Sequence, residues 1–155
     1  MGLMMRKKYY ILGISIFALL CFSLQLQAQC GAKAQASACI TELEDGFTFL
    51  KSFEVDGKSG AKTKVEYSYV FSKDTQYYIN ICSEGEGSGT DGIIITMYDS
   101  KRQMVSTNFN NGKFYPGLIY PCNATGIYYI TFTFRESQHH CGGSVLGFRR
   151  EVSNN

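Results

Sequence analysis

The 155-residue chain has no tryptophan, only two prolines and two histidines, and its six cysteines never form a Cys-x-x-Cys pair. Without that pair, and without spacings that match a zinc pattern, the strongest signs of dithiol redox chemistry and of structural zinc are missing. The two histidines, His139 and His140, are neighbours, so no separate base is at hand for a nucleophile elsewhere. Ser144 follows two glycines but lacks the small residue two places on that a nucleophile elbow requires. Long apolar runs are also absent after the first 24 residues.

That first stretch carries Arg6, Lys7 and Lys8, an apolar run from Ile11 to Leu24, and then Gln25-Leu26-Gln27-Ala28. A basic start, a short apolar middle and a small residue at the end describe a secretory signal, with cleavage expected between Ala28 and Gln29. An uncleaved anchor is the competing reading, but a span takes roughly 20 apolar residues and this run stops at Gln25. Neither Gln29-Cys30 nor Leu20-Cys21 offers the small residue that precedes a lipid-bearing cysteine. Removing residues 1–28 takes three of the 15 cationic side chains, leaving 12 against 13 acidic ones, a net charge of −1. A near-neutral chain without a basic cluster gains little from counterion release, so nucleic acid is not an expected partner.

Five cysteines remain in the exported part: Cys30, Cys39, Cys82, Cys122 and Cys141. In an oxidising compartment they form at most two bonds within the chain and leave one thiol.

Between glycine- and aspartate-rich turns the sequence alternates with a period of two. Phe47, Phe49, Phe53 and Val55 fall on one face of a first strand, interrupted by Lys51; Val65, Tyr67, Tyr69 and Phe71 follow in the cleanest alternation of the chain. The next run, Tyr77 to Cys82, is expected to pair with that strand or to continue it as one bent edge. Residues 83–92 hold four glycines and no apolar side chain, and read as a loop. Ile93 to Tyr98 is a strand, and Asn110-Asn111-Gly112 between Met104–Phe109 and Lys113–Tyr120 predicts a hairpin. Tyr128, Ile130, Phe132 and Phe134 line one face of a buried, central strand; Leu146 and Phe148 mark the last one. Seven or eight such strands predict an antiparallel β-sandwich or jelly roll over residues 46–150, with an irregular segment 29–45 before it and a tail 151–155 after it. The alternating alanines 32, 34, 36 and 38 permit a short helix but give no helical stripe.

The order Tyr77-Tyr78-Ile79-Asn80-Ile81, glycine loop, Met97-Tyr98-Asp99, hairpin, Thr125-Gly126-Ile127-Tyr128-Tyr129 resembles the bacterial pre-peptidase C-terminal domains, small β-sandwiches that accompany secreted enzymes. Cys122-Asn123-Ala124-Thr125-Gly126 and the later Cys141 also resemble small uncharacterised exported proteins of Gram-negative bacteria. This second resemblance implies a disulfide between Cys122 and Cys141, clamping the strand Ile127–Phe134 against Ser144–Arg149. Cys82 would then pair with Cys30 or Cys39. These 155 residues hold no protease domain beside the sandwich, and Cys30, Cys39 and Cys82 are additions to the pattern.

Candidate sites are few. His139, His140 and Cys141 include metal-ligating types, but strand neighbours point to opposite faces and an oxidised cysteine is no ligand. Glu84, Glu86 and Asp91 could offer oxygens to calcium, yet their spacing matches no EF-hand and a solvated hairpin tip accounts for them. No metal or cofactor is therefore expected. Nine of the eleven tyrosines lie after residue 28, and Tyr115 and Tyr120, beside Pro116-Gly117, are the pair expected to be exposed for binding. The resulting expectation is a non-catalytic exported domain that binds or supports another envelope or secreted protein. A carbohydrate-binding module is the alternative, and a secreted hydrolase ranks third. The expected partner is thus a protein or polysaccharide of the cell envelope, met in the periplasm, at the cell surface or in the medium.

Overall fold

A computed structural model describes residues 30–83 and 90–150. The segment expected to be a signal, with its expected cleavage between Ala28 and Gln29, the calcium candidates Glu84 and Glu86, and the tail 151–155 lie outside the described residues.

Eight strands build two antiparallel sheets. The first has the order β1 (Thr48–Asp56), β10 (Cys141–Arg150), β3 (Thr75–Asn80), β8 (Gly117–Cys122); the second has β2 (Lys64–Phe71), β9 (Gly126–Phe134), β4 (Ile93–Tyr98), β5 (Met104–Thr107). The sheets face each other through the alternating apolar rows, which is the disulfide-stabilised all-β sandwich that the periodicity predicts. Phe71, Ile79, Ile95, Met97, Ile130, Phe132 and Leu146 are fully buried between them. Phe71 stacks on Tyr77 at 3.8 Å and on Tyr128 at 5.0 Å, so aromatic rings from both sheets fill one end of the core. β9 is central in its sheet and buries Tyr128, Ile130, Phe132 and Phe134 on one face.

Several expectations change at places where the chain leaves one sheet for the other. β2 and β3 neither pair nor form one bent edge: the turn at Asp74, with φ 58°, carries the chain from the second sheet to the first. The run Met104–Phe109 breaks at Asn108, and Lys113–Tyr120 breaks before Gly117. The pieces between form a two-residue hairpin, β6 (Phe109–Asn110) with β7 (Lys113–Phe114), turned by Asn111 and Gly112 at φ 50° and 76°. Two successive positive φ angles are what a type I′ turn demands and what Asn-Gly supplies. Asn108 is buried and fixes the break: Ile95 N–H donates to its Oδ1 at 2.7 Å, and its Nδ2 donates to the Tyr115 carbonyl at 2.8 Å.

The N-terminal segment is ordered rather than irregular. A helix α1 (Ala32–Ala38) runs into a 3-10 turn (Cys39–Glu42), and both lie on the outer face of the first sheet. Its buried residues are Ala32, Gln35 and Ala36, the i, i+3, i+4 set of a helix face in which one of three is polar. The helix rests on the backbone of β10: a Cβ at Gly143 would sit 2.0 Å from the Ala36 nitrogen, so only glycine permits this approach. Leu43 covers Gly147 in the same way. β10 is therefore buried on both faces, by the second sheet within and by this segment without.

Two disulfides fasten the segment, Cys30 to Cys141 and Cys39 to Cys82. The expected Cys122–Cys141 bond is not formed. Cys141 pairs in register with Asp56 at the end of β1, beneath Cys30, whereas Cys122 is buried at the opposite edge strand of the same sheet and is a free thiol. β9 and β10 lie in different sheets, so no disulfide clamps them as neighbouring strands. Cys82 is bonded to Cys39, one of the two partners left open. Cys82 and Gly143 exchange both backbone hydrogen bonds at 2.8 Å, which sets Cys82 directly under the helix end.

Two disulfides in so small a fold mark an oxidising environment. Among the described residues no helix is long and apolar enough to cross a membrane.

Candidate functional site

The two sheets differ on their outer faces. That of the first is occupied by the disulfide-fastened segment, while that of the second carries no covering element among the described residues. On this open face Glu66 of β2 accepts two contacts from Arg102 Nη1, both at 2.9 Å, and a hydrogen bond from the Thr131 hydroxyl at 3.0 Å. The Arg102 guanidinium lies 3.5 Å above the Tyr129 ring. Arg102 has φ 62° in the β4–β5 turn, where Asp99 Oδ1 accepts from the Lys101 and Gln103 N–H groups at 2.8 Å each. Burial raises the Glu66 pKa, but the hydrogen bonds from Arg102 and Thr131 outweigh it and hold the carboxyl below its ordinary value. Lys64, Glu66, Tyr98, Arg102, Thr131 and Thr133 line a shallow polar depression of about 180 Å³ there.

Beyond this network the same face turns apolar. Val70 and Ile127 are cross-strand partners, 59% and 48% exposed, in a fold that buries most of its large aliphatic side chains. With Ser68 and Tyr69 they line a second depression of about 430 Å³. A third, of about 270 Å³, opens between the sheets at the same end of β2 and is lined by Leu50, Tyr69, Val70, Tyr77, Phe148 and Arg150, among others.

The sequence's binding pair, Tyr115 and Tyr120, is not brought together at the surface. Tyr115 is 42% exposed with Lys113 Nζ 5.0 Å from its ring centre. Tyr120 belongs to the inward row of β8 with Leu118 and Cys122, and its hydroxyl donates to that of Tyr128 at 3.4 Å. Asp91 is a structural carboxylate: its Oδ2 accepts from Ser137 Oγ at 2.6 Å and from His139 N–H at 3.1 Å, binding the end of the glycine-rich loop to the β9–β10 connection. Burial pushes its pKa up, but these hydrogen bonds prevail and the net shift is downward. Ser137 and His139 thus meet Asp91 as donors, Ser137 through its hydroxyl and His139 through its N–H and, at 3.4 Å, its ring Nδ1. Among the described residues no group of three or more His, Cys, Asp or Glu is arranged to hold a metal ion.

Sequence reasoning missed the Glu66–Arg102–Tyr129 assembly, because its members are 36 and 27 positions apart and become neighbours only through the β2–β9–β4 order. The signal that was available is the outward row of β9, where Ile127 and Tyr129 stand opposite the buried row. No family model matches this chain, and no curated protein matches it.

Proposed function

We propose that this is a non-catalytic, exported binding module that engages or supports another envelope or secreted protein. The observation that carries this reading is the asymmetry of the sandwich: one outer face is covered over β1 and β10 by a covalently fastened segment, whereas the other has no such cover among the described residues and presents the paired Val70 and Ile127 to solvent beside a fixed ion pair. An apolar patch rimmed by polar groups has the composition of a protein-binding surface, with an apolar centre and hydrogen-bonding margins. The disulfides suit an oxidising location, and the resemblance to pre-peptidase C-terminal domains supports an accessory role beside other exported proteins.

A second reading is favoured by the polar depression at Glu66 and Arg102. Its hydroxyls, charged groups and Tyr98 ring are the groups that hold a sugar, which supports a carbohydrate-binding module. Affinity capture from the source's own envelope fraction, run beside a glycan array, separates the two. Specific recovery of one protein with a blank array supports the first reading; array binding abolished by Arg102→Ala supports the second and overturns the first.

A further inference from the structure

A sandwich has four edge strands, and three of these are blunted. β1 carries a bulge at Leu50, where its register with β10 shifts between Phe49 and Lys51. β5 has four residues and a bulge at Val105, since Met97 faces Ser106 but Tyr98 faces Met104. β8 contains Pro121, which has no N–H to offer. Bulges, short length and proline are the devices by which edges avoid pairing with other chains. β2 has none of these three: eight residues from Lys64 to Phe71 run in unbroken register with β9, without proline or glycine, and its charged residues, Lys64 and Glu66, lie in its first half, away from Ser68–Phe71.

The two larger depressions flank this same strand. The one lined by Ser68, Val70 and Ile127 lies on its outer side, and the one lined by Leu50, Tyr77 and Phe148 lies on its inner side at the mouth between the sheets; both touch Tyr69 and Val70. A strand laid against an edge sends alternate side chains to opposite faces of the sheet, so it would place one row in each depression. Main-chain hydrogen bonds to β2 supply affinity in this arrangement, and the two depressions supply selectivity.

Resting on the protein-binding reading above, we propose that the β2 edge around Ser68–Phe71 accepts an extended segment of another protein by strand addition, and that this segment alternates apolar residues and carries acidic ones. The charge follows from the mouth. Arg150 lines the inner depression and Lys51 Nζ lies 6.0 Å from the Tyr69 ring, while the acidic Glu66 of the same strand is already paired with Arg102. A second copy of this chain would bring its own Lys51 and Arg150 to this edge and not the carboxylates that complement them, so charge complementarity favours a different chain.

The test uses the disulfide-bonded protein and a phage-displayed library of random eight-residue peptides. Selected peptides should alternate apolar residues with acidic ones, protect β2 amides from hydrogen exchange, and lose at least tenfold in affinity against Val70→Glu. Because Val70 is mostly exposed, that variant should keep its thermal midpoint; Ile119→Glu, on the other sheet, should bind as wild type. N-methylation of alternate peptide amides should abolish binding. Lack of enrichment, binders indifferent to Val70→Glu, or tolerance of N-methylation would each overturn the proposal. So would a concentration-dependent dimer of the wild type that Val70→Glu dissolves, since the occupant would then be a second copy. If envelope capture recovers the same protein with wild type and Val70→Glu alike, the binding-module reading stands and the edge site fails; if neither recovers a protein, that reading fails on its own.

Discussion

The Tyr128 hydroxyl donates to the carbonyl oxygen of Ala124, four residues back, at 2.9 Å. This bond ties the entry of β9 to the corner that leads out of β8, the same device as the tyrosine corner of Greek-key sandwiches. The Cys122 thiol donates to the same carbonyl at 3.2 Å, and the Tyr120 hydroxyl reaches Tyr128, so the corner is a small buried polar network inside the aromatic end of the core. Burial, then the hydrogen bonds shared with Tyr120 and Cys122, raises the Tyr128 pKa and keeps its hydroxyl neutral, able to donate to Ala124.

Tyr128→Phe should therefore destabilise the domain by about 1 kcal/mol, the net worth of one hydrogen bond, while the ring stays in its stack on Phe71. Urea unfolding is the measurement. An unchanged midpoint would mean that the corner bond is replaced by water at no cost.

Non-reducing peptide mapping should recover Cys30 joined to Cys141 and Cys39 joined to Cys82, with Cys122 alkylated only after unfolding because it is 2% exposed. Cys30→Ser and Cys39→Ser should each cost about 2–5 kcal/mol, since each opens a long loop. Hydrogen exchange in both variants should rise first in Ala32–Ala38. A peptide joining Cys122 to Cys141 would contradict this framework.

Acid should weaken the β9–β10 connection through Asp91. Its folded pKa lies below the 3.8 of the free side chain, so its stabilising contribution is fully present above 3.8 and is lost as pH falls through the folded value. Asp91→Asn should remove that part of the acid limb and lower the midpoint at neutral pH. Thermal melts of both proteins from pH 2 to pH 7 check this, and parallel pH curves would rule it out.

Much of this fold is legible in the sequence where one face of a strand is buried and the other is not. Val65-Tyr67-Tyr69-Phe71 and Tyr128-Ile130-Phe132-Phe134 read directly as the inner rows of β2 and β9, and Asn111-Gly112 as a hairpin turn. The first strand misleads because the bulge at Leu50 changes its parity: Phe53 and Val55 point inward as expected, but Phe49 is 43% exposed and Leu50 packs toward the core in its place. The alanines permit the helix, but its buried face shows no apolar stripe because Gln35 occupies one of its three buried positions. Disulfide partners depend on which strands lie side by side, and β10 pairs with β1 and β3 rather than with β9, which no local pattern encodes. The open face is half legible: the outward row of β9 is visible in the sequence, but its meeting with Arg102 and Glu66 is a product of strand order.

The proposal of a protein-binding module that works through its uncovered sheet is tested most directly by site-specific photocrosslinking of the full chain in its source. A photoreactive side chain at Ile127, on the open face, should give one discrete protein adduct in the envelope or secreted fraction. The same group at Ile119, 41% exposed on the other sheet, should give none. An Ile127 probe that yields no protein adduct, or the same adduct from both positions, would contradict the account.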